Sequence, residues 1–113
     1  MLAKANRITR GADYKSVVRR GVRFTAPNTV TYVRRNPDAS GVRFGFIVGK
    51  TVGIATRRNR VRRRLKAACF DLLPEMSPGI DIVVRALPVS TDAGWVTLHE
   101  EISRAVSKGN ARS

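Results

Sequence analysis

The chain has 113 residues, 42% of them apolar, and a formal net charge of +14. That length suits one compact domain with a modest core, and that apolar content excludes a disordered basic tail. With one cysteine, Cys69, and one histidine, His99, neither an internal disulfide nor a four-ligand zinc site can be assembled.

The charge is lopsided. Residues 1–70 carry 18 Lys or Arg against two acids, Asp13 and Asp38, whereas residues 71–113 carry four against six. Such a field attracts polyanions, with nucleic acid the first expected partner and an anionic membrane surface the competitor. Nothing approaches the ~20 apolar residues of a membrane span. The opening MLAKANRITRGADYK has no apolar run of the kind a secretory signal needs. A cytoplasmic protein with no membrane partner is expected.

In chain order, RGADYKSVVRRG predicts a short helix with Tyr14, Val17 and Val18 on one side and Gly21 as its stop. A strand follows over Asn28 to Arg34, then a turn through Asn36, Pro37, Asp38 and Gly41. VRFGFIVGK alternates. Phe44, Phe46 and Val48 are expected to face the core. The opposite side, with Gly45 and Gly49, leaves backbone bare for close approach by a helix or a ligand.

The next segment, GIATRRNRVRRRLKAACF, places seven Lys or Arg in the ten residues from Arg57 to Lys66. On a helical wheel Leu65, Ala68 and Leu72 fall within about 40° of Val61, and the four form an apolar stripe. Asn59, Arg62, Arg63 and Lys66 lie on the far side, Arg60 is near it, and Arg57, Arg58, Arg64 and Cys69 flank the stripe. Thr56 is the expected N-cap. Then PEMSPG breaks the helix and GIDIVVRA reads as a strand. A last helix carries Trp95, Leu98, Ile102, Ala105 and Val106 on one stripe and ends at Gly109. The order predicts a single α+β domain spanning residues 1–113, with mobile ends over 1–7 and 110–113.

A solubilising face mixes signs, but this helix face has no acid, and none occurs between Asp38 and Asp71. Repulsion of this kind is tolerated where a partner neutralises it. Arg outnumbers Lys six to one there, and guanidinium forks onto phosphate oxygens. A membrane-bound helix needs bulkier apolar residues than this stripe offers. A DNA-reading helix needs several base readers, and Asn59 is the one candidate, so structured RNA is the better fit. Phe44, Phe46 and Trp95 read as core. Tyr14 and Tyr32 also read as core on periodicity, although a Tyr can stack on an unpaired base. His99 sits on a plain amphipathic helix, Cys69 reads as a small buried residue, and no catalytic constellation is visible.

The stretch GKTVGIATRRNRVRRRLKAA resembles the signature of the bacterial ribonuclease P protein component through Lys50, Gly53, Ala55, Arg58, Asn59, Arg60, Arg62, Arg63 and Lys66. The resemblance extends over residues 6–107 through NRITRGADYKSVVRRG, TVTYVRR, FGFIVGK and GIDIVVRA. It implies an α/β sandwich around a four-stranded sheet, similar to a domain of ribosomal protein S5, with a left-handed β-α-β crossover. It also implies a catalytic RNA partner, the RNA of ribonuclease P, and cleavage of the 5′ leader from precursor tRNA. The RNA would hold the active site and the Mg2+; the protein would bind no cofactor itself and need no protein partner. Lys50, Arg57, Arg58, Asn59, Arg60, Arg62, Arg63 and Lys66 would lie on the catalytic RNA. Tyr14, Val18 and Tyr32 would line a cleft for the single-stranded leader. Val18 stands where the family often has an aromatic, Ile54 where it often has Asn, and Thr51 where Lys or Arg is frequent. The rival class is a ribosomal protein or assembly factor, told apart by co-sedimentation with ribosomal subunits. A stand-alone nuclease would cut RNA unaided and lose that activity on mutation of a carboxylate.

Overall fold

The computed structural model describes residues 2–112, with side chains through residue 109. Helix α1 (Gly11–Arg20) leads into a β1–β2 hairpin (Val22–Thr25 and Thr29–Arg35). Strand β3 (Val42–Ile47), helix α2 (Ala55–Leu72), strand β4 (Ile80–Ala86) and helix α3 (Trp95–Arg112) follow. The four strands form one sheet in the order β1-β2-β4-β3. β1 with β2 and β2 with β4 are antiparallel, while β3 and β4 are parallel across the α2 connection. This is the expected α+β sandwich, and the hairpin supplies its fourth strand.

Strand alternation decides what each sheet face meets. Phe44, Ile82, Val84 and Val33 join Val61, Leu65, Ala68 and Leu72 of α2 and Leu98, Ile102 and Val106 of α3 in the main core. Every member of the α2 stripe is buried, and so is Cys69, whose thiol pKa burial pushes up. The other sheet face holds Tyr32 and Val83, which pack with Ile8 and Val17, with Tyr14 and Val18 of α1 alongside.

The same face carries a polar clamp at one end. Arg34, Asp81 and Arg43 are cross-strand neighbours. Asp81, 1% exposed, accepts from Arg43 Nε at 2.9 Å and Nη2 at 2.8 Å, and from Asn36 Nδ2 at 3.0 Å. This pairing raises the Arg43 pKa, with Asp81 the chief cause. Arg43 also reaches Asp13 at 3.6 Å, and Arg34 donates to Ser16 Oγ at 2.6 Å, so the clamp ties α1 to three strands.

Two expectations are corrected. Trp95 is not a core residue: it opens α3, is 39% exposed, and its ring lies 4.6 Å from that of His99. The stripe becomes core at Leu98, because the first turn of α3 projects past the packed layer. Thr56 is not the N-cap. The helix starts at Ala55, Ile54 holds the cap position in extended conformation, and its carbonyl accepts from Arg58 N at 3.0 Å. The first residues, for which mobility is expected, make several contacts with the sheet. Leu2 and Ile8 are buried, Asn6 Nδ2 donates to Val42 O at 2.8 Å, and Arg7 bridges Phe44 along the free edge of β3. Burial of two isolated apolar residues and a strand-edge pairing hold this segment. The mobile end expected over 110–113 falls where side chains lie outside the described residues, although α3 continues to Arg112.

Candidate nucleic-acid interface

Helix α2 is aimed by its stripe. Because Val61, Leu65, Ala68 and Leu72 are buried, Asn59, Arg60 and Arg63 stand in solvent, with Arg62 and Lys66 half-buried beside them. Thr56, Asn59, Arg60, Arg62, Arg63 and Lys66 line a shallow groove of about 520 Å³. Within it Arg62 Nη1 donates to Asn59 Oδ1 at 3.0 Å, which fixes the guanidinium plane. The turn into the helix passes through Gly53 at φ 143°, a conformation that side chains rarely adopt. With no acid and no side-chain cap in its first turn, α2 presents bare backbone N–H groups at the positive end of its dipole. Lys50 is exposed in the short 3-10 turn before it.

The cations are not equivalent. Arg64 Nη1 donates to Ala93 O at 2.8 Å and ties α2 to the segment before α3. Arg57 is exposed and packs its stem toward Gly53. Arg58 is half-buried on the flank, and its Nε is buried with no hydrogen-bond partner among the described residues.

The second set of residues also meets. Tyr14, Val18 and Tyr32 fall in one cluster between α1 and the sheet. Tyr14 lies on the bare backbone of Gly45, and its hydroxyl accepts from Phe46 N–H at 3.2 Å. So the glycine side of β3 admits a helix side chain. Tyr32 is 5% exposed, with the Arg85 guanidinium 5.8 Å above its ring. Its ring faces are therefore covered, and the exposed group at that point is Arg85.

Tyr14 opens onto a cleft of about 170 Å³ whose walls include Ile8, Phe44 and Phe46 on one side and Arg62 and Lys66 of α2 on the other. The basic helix and the α1 cleft are thus continuous around the β3 edge. Sequence reasoning missed Leu2, Arg7 and Ile8, which complete this cleft, and Arg85. Leu2 and Ile8 carry no periodic signal, and Arg85 reads as an ordinary outward residue on a strand. Among the described residues, no group of three or more His, Cys, Asp or Glu could hold a metal ion, and no helix is long and apolar enough to cross a membrane.

Replacing Gly45 by alanine is expected to break this arrangement locally. The new Cβ would stand 2.4 Å from Tyr14 Cε1 and 2.6 Å from Cζ, so the ring must leave. The expected cost is about 1–3 kcal/mol in thermal or urea unfolding. Hydrogen exchange at the Phe46 amide should accelerate as its bond to Tyr14 is lost; unchanged protection would mean the ring has another seat.

Residues 2–110 match the family model described as Ribonuclease P. The chain is 49% identical over 108 residues to the ribonuclease P protein component of Clavibacter michiganensis, covering 96% of each. It is 39% identical over 112 residues to that of Mycobacterium avium, covering 96% of this chain and 94% of the other. A solved Staphylococcus aureus RNase P protein mutant, described as defective in mRNA degradation activity, superimposes with a TM-score of 0.83 at 25% identity. That match covers 93% of this chain and 87% of the other. Fold and relatives together define a protein subunit of a ribonucleoprotein ribonuclease that works in tRNA processing. The chain belongs to the ribonuclease P protein family, and its partner is the ribonuclease P RNA.

Proposed function

We propose that α2 lies on the catalytic RNA and that the cleft beside Tyr14 takes the single-stranded 5′ leader of precursor tRNA. The RNA carries the active site and the Mg2+, and the protein acts by charge and position. Arg60, Arg62, Arg63 and Lys66 neutralise phosphates, with Lys50, Arg57, Arg58 and Asn59 around them. The observation that carries this reading is the shared cleft: Tyr14 and Phe46 face Arg62 and Lys66 across one opening. A single strand leaving the RNA surface would keep its phosphates on α2 while its bases meet aromatic and apolar walls. Val18 and the covered Tyr32 pack alongside Tyr14 between α1 and the sheet and do not line the cleft, and the exposed Arg85 over the Tyr32 ring offers a further cation to RNA.

The test is leader cleavage at low magnesium with the RNA alone, the protein alone and both together. Efficient cleavage in the mixture alone supports the reading. No gain over the RNA alone would sink it. The S. aureus mutant's description favours a second reading, in which the protein takes part in mRNA degradation. Adding an mRNA to the protein-alone arm separates the two activities.

A further inference from the structure

On α2, Phe70 points away from the buried stripe and is 49% exposed, although its neighbour Cys69 is fully buried. A large aromatic on the solvent side of a cationic helix contributes nothing to the core. It forms one wall of a pocket of about 310 Å³, completed by Leu2, Arg7, Arg63, Lys66 and Ala67. That volume is at the lower end of small-ligand sites, ~300–1,000 Å³. The lining is apolar at its floor and carries three cations and no carboxylate.

We propose that this pocket takes one unpaired RNA base, stacked on the Phe70 ring, with the adjoining phosphates on Arg63 and Lys66. The inference rests on the reading that the cationic face of α2 meets RNA. Three features select this occupant. Arg63, Lys66 and Phe70 are at i, i+3 and i+7, one row along the helix, with Lys66 about 6 Å along the axis from Phe70. A nucleotide matches this row, because it brings a π-face and a negative charge together. An apolar segment of a protein, or a second copy of this strongly basic chain, would cover Arg7, Arg63 and Lys66 without supplying a counter-charge, which is costly. Finally, the pocket shares Leu2, Arg7 and Lys66 with the Tyr14 cleft, so a strand can run from one to the other without leaving the surface.

The test measures affinity for an oligoadenylate and for a matching abasic ribose-phosphate oligomer. Phe70→Ala should weaken oligoadenylate binding by about 5- to 150-fold, the range for loss of one stacked base. Phe70→Leu, which keeps apolar area without a π-face, should lose most of the same affinity, and Phe70→Tyr should restore it. The abasic oligomer should bind all four proteins alike. Arg60→Ala, outside the pocket, should weaken both oligomers. If Arg60→Ala weakens binding but Phe70→Ala or Phe70→Leu does not, the stacking site is wrong and the RNA face stands. If the unaltered protein binds neither oligomer, the RNA face itself fails and takes the pocket with it. Concentration-dependent sedimentation abolished by Phe70→Leu would assign the pocket to a second copy and overturn the proposal. Circular dichroism melts of the half-exposed Phe70 variants, Phe70→Tyr above all, check that each is folded.

Discussion

Replacing Arg60 and Arg63 together by alanine is expected to weaken binding to the ribonuclease P RNA and to flatten its salt dependence. Each lost phosphate contact should reduce the slope of log affinity against log salt by roughly 0.9, so the pair should remove close to two units. Both side chains are exposed and line the α2 groove, so the fold should be unaffected. Arg64→Ala is the informative contrast. Its guanidinium is already engaged with the Ala93 carbonyl, so its loss should lower stability and leave the slope nearly intact. A slope unchanged in the double variant would rule out this face as the RNA surface. Equal slopes for Arg64 and Arg60 variants would mean that net charge acts, rather than the placement of particular arginines.

The largest effect on stability is expected at Asp81. Asp81→Ala leaves Arg43 with no partner at 2.8–2.9 Å and strands the Asn36 amide. Removing one member of a buried ion pair costs about 3–5 kcal/mol, and because Arg43 is only partly buried and keeps Asp13 at 3.6 Å the expected loss is at the low end, about 3 kcal/mol. That is a large share of the ~5–15 kcal/mol that holds a domain together. Urea unfolding measures it directly. Since the cost lies in the orphaned guanidinium, the double variant Arg43→Met with Asp81→Leu should recover a substantial part. No recovery would place the cost in the loss of the Asn36 anchor instead, whose backbone N–H donates to Gly79 O at 2.7 Å. RNA binding by α2 should survive any variant that still folds, because the clamp faces α1 on the opposite side of the sheet.

Much of this arrangement was legible in the sequence, for identifiable reasons. The α2 stripe was readable because Val61, Leu65, Ala68 and Leu72 keep helical spacing over three turns while every charged residue from Arg57 to Lys66 is a cation. Tyr14 over Gly45 was half-legible. The glycine side of β3 announced a close approach, but not which side chain makes it. Trp95 misled because periodicity defines a stripe and not where the opposing layer ends. Thr56 misled because cap propensity is weaker than the geometry imposed by Gly53 and the anchoring of Val61. Tyr32 reads as core on periodicity and is buried, but its covering by Arg85 depends on a diagonal neighbour in β4. The junction of the α2 face with the α1 cleft left no local trace. It follows from β3 standing at the sheet edge and from Leu2–Ile8 folding back along it.

That returning segment also decides how the sheet ends. β3 is an outer strand and carries Val42, Phe44 and Phe46, a row that could template pairing with another chain. The bridge from Arg7 to Phe44, and the bond from Ile8 N to Phe44 O at 2.8 Å, occupy that row from within. The other outer strand, β1, spans four residues and offers little template. The chain thus blocks its own polymerisation with its first residues. A tag or fusion attached there would emerge beside the occupied β3 edge and the Phe70 pocket together, so preparations meant for assembly studies are better extended from the other end.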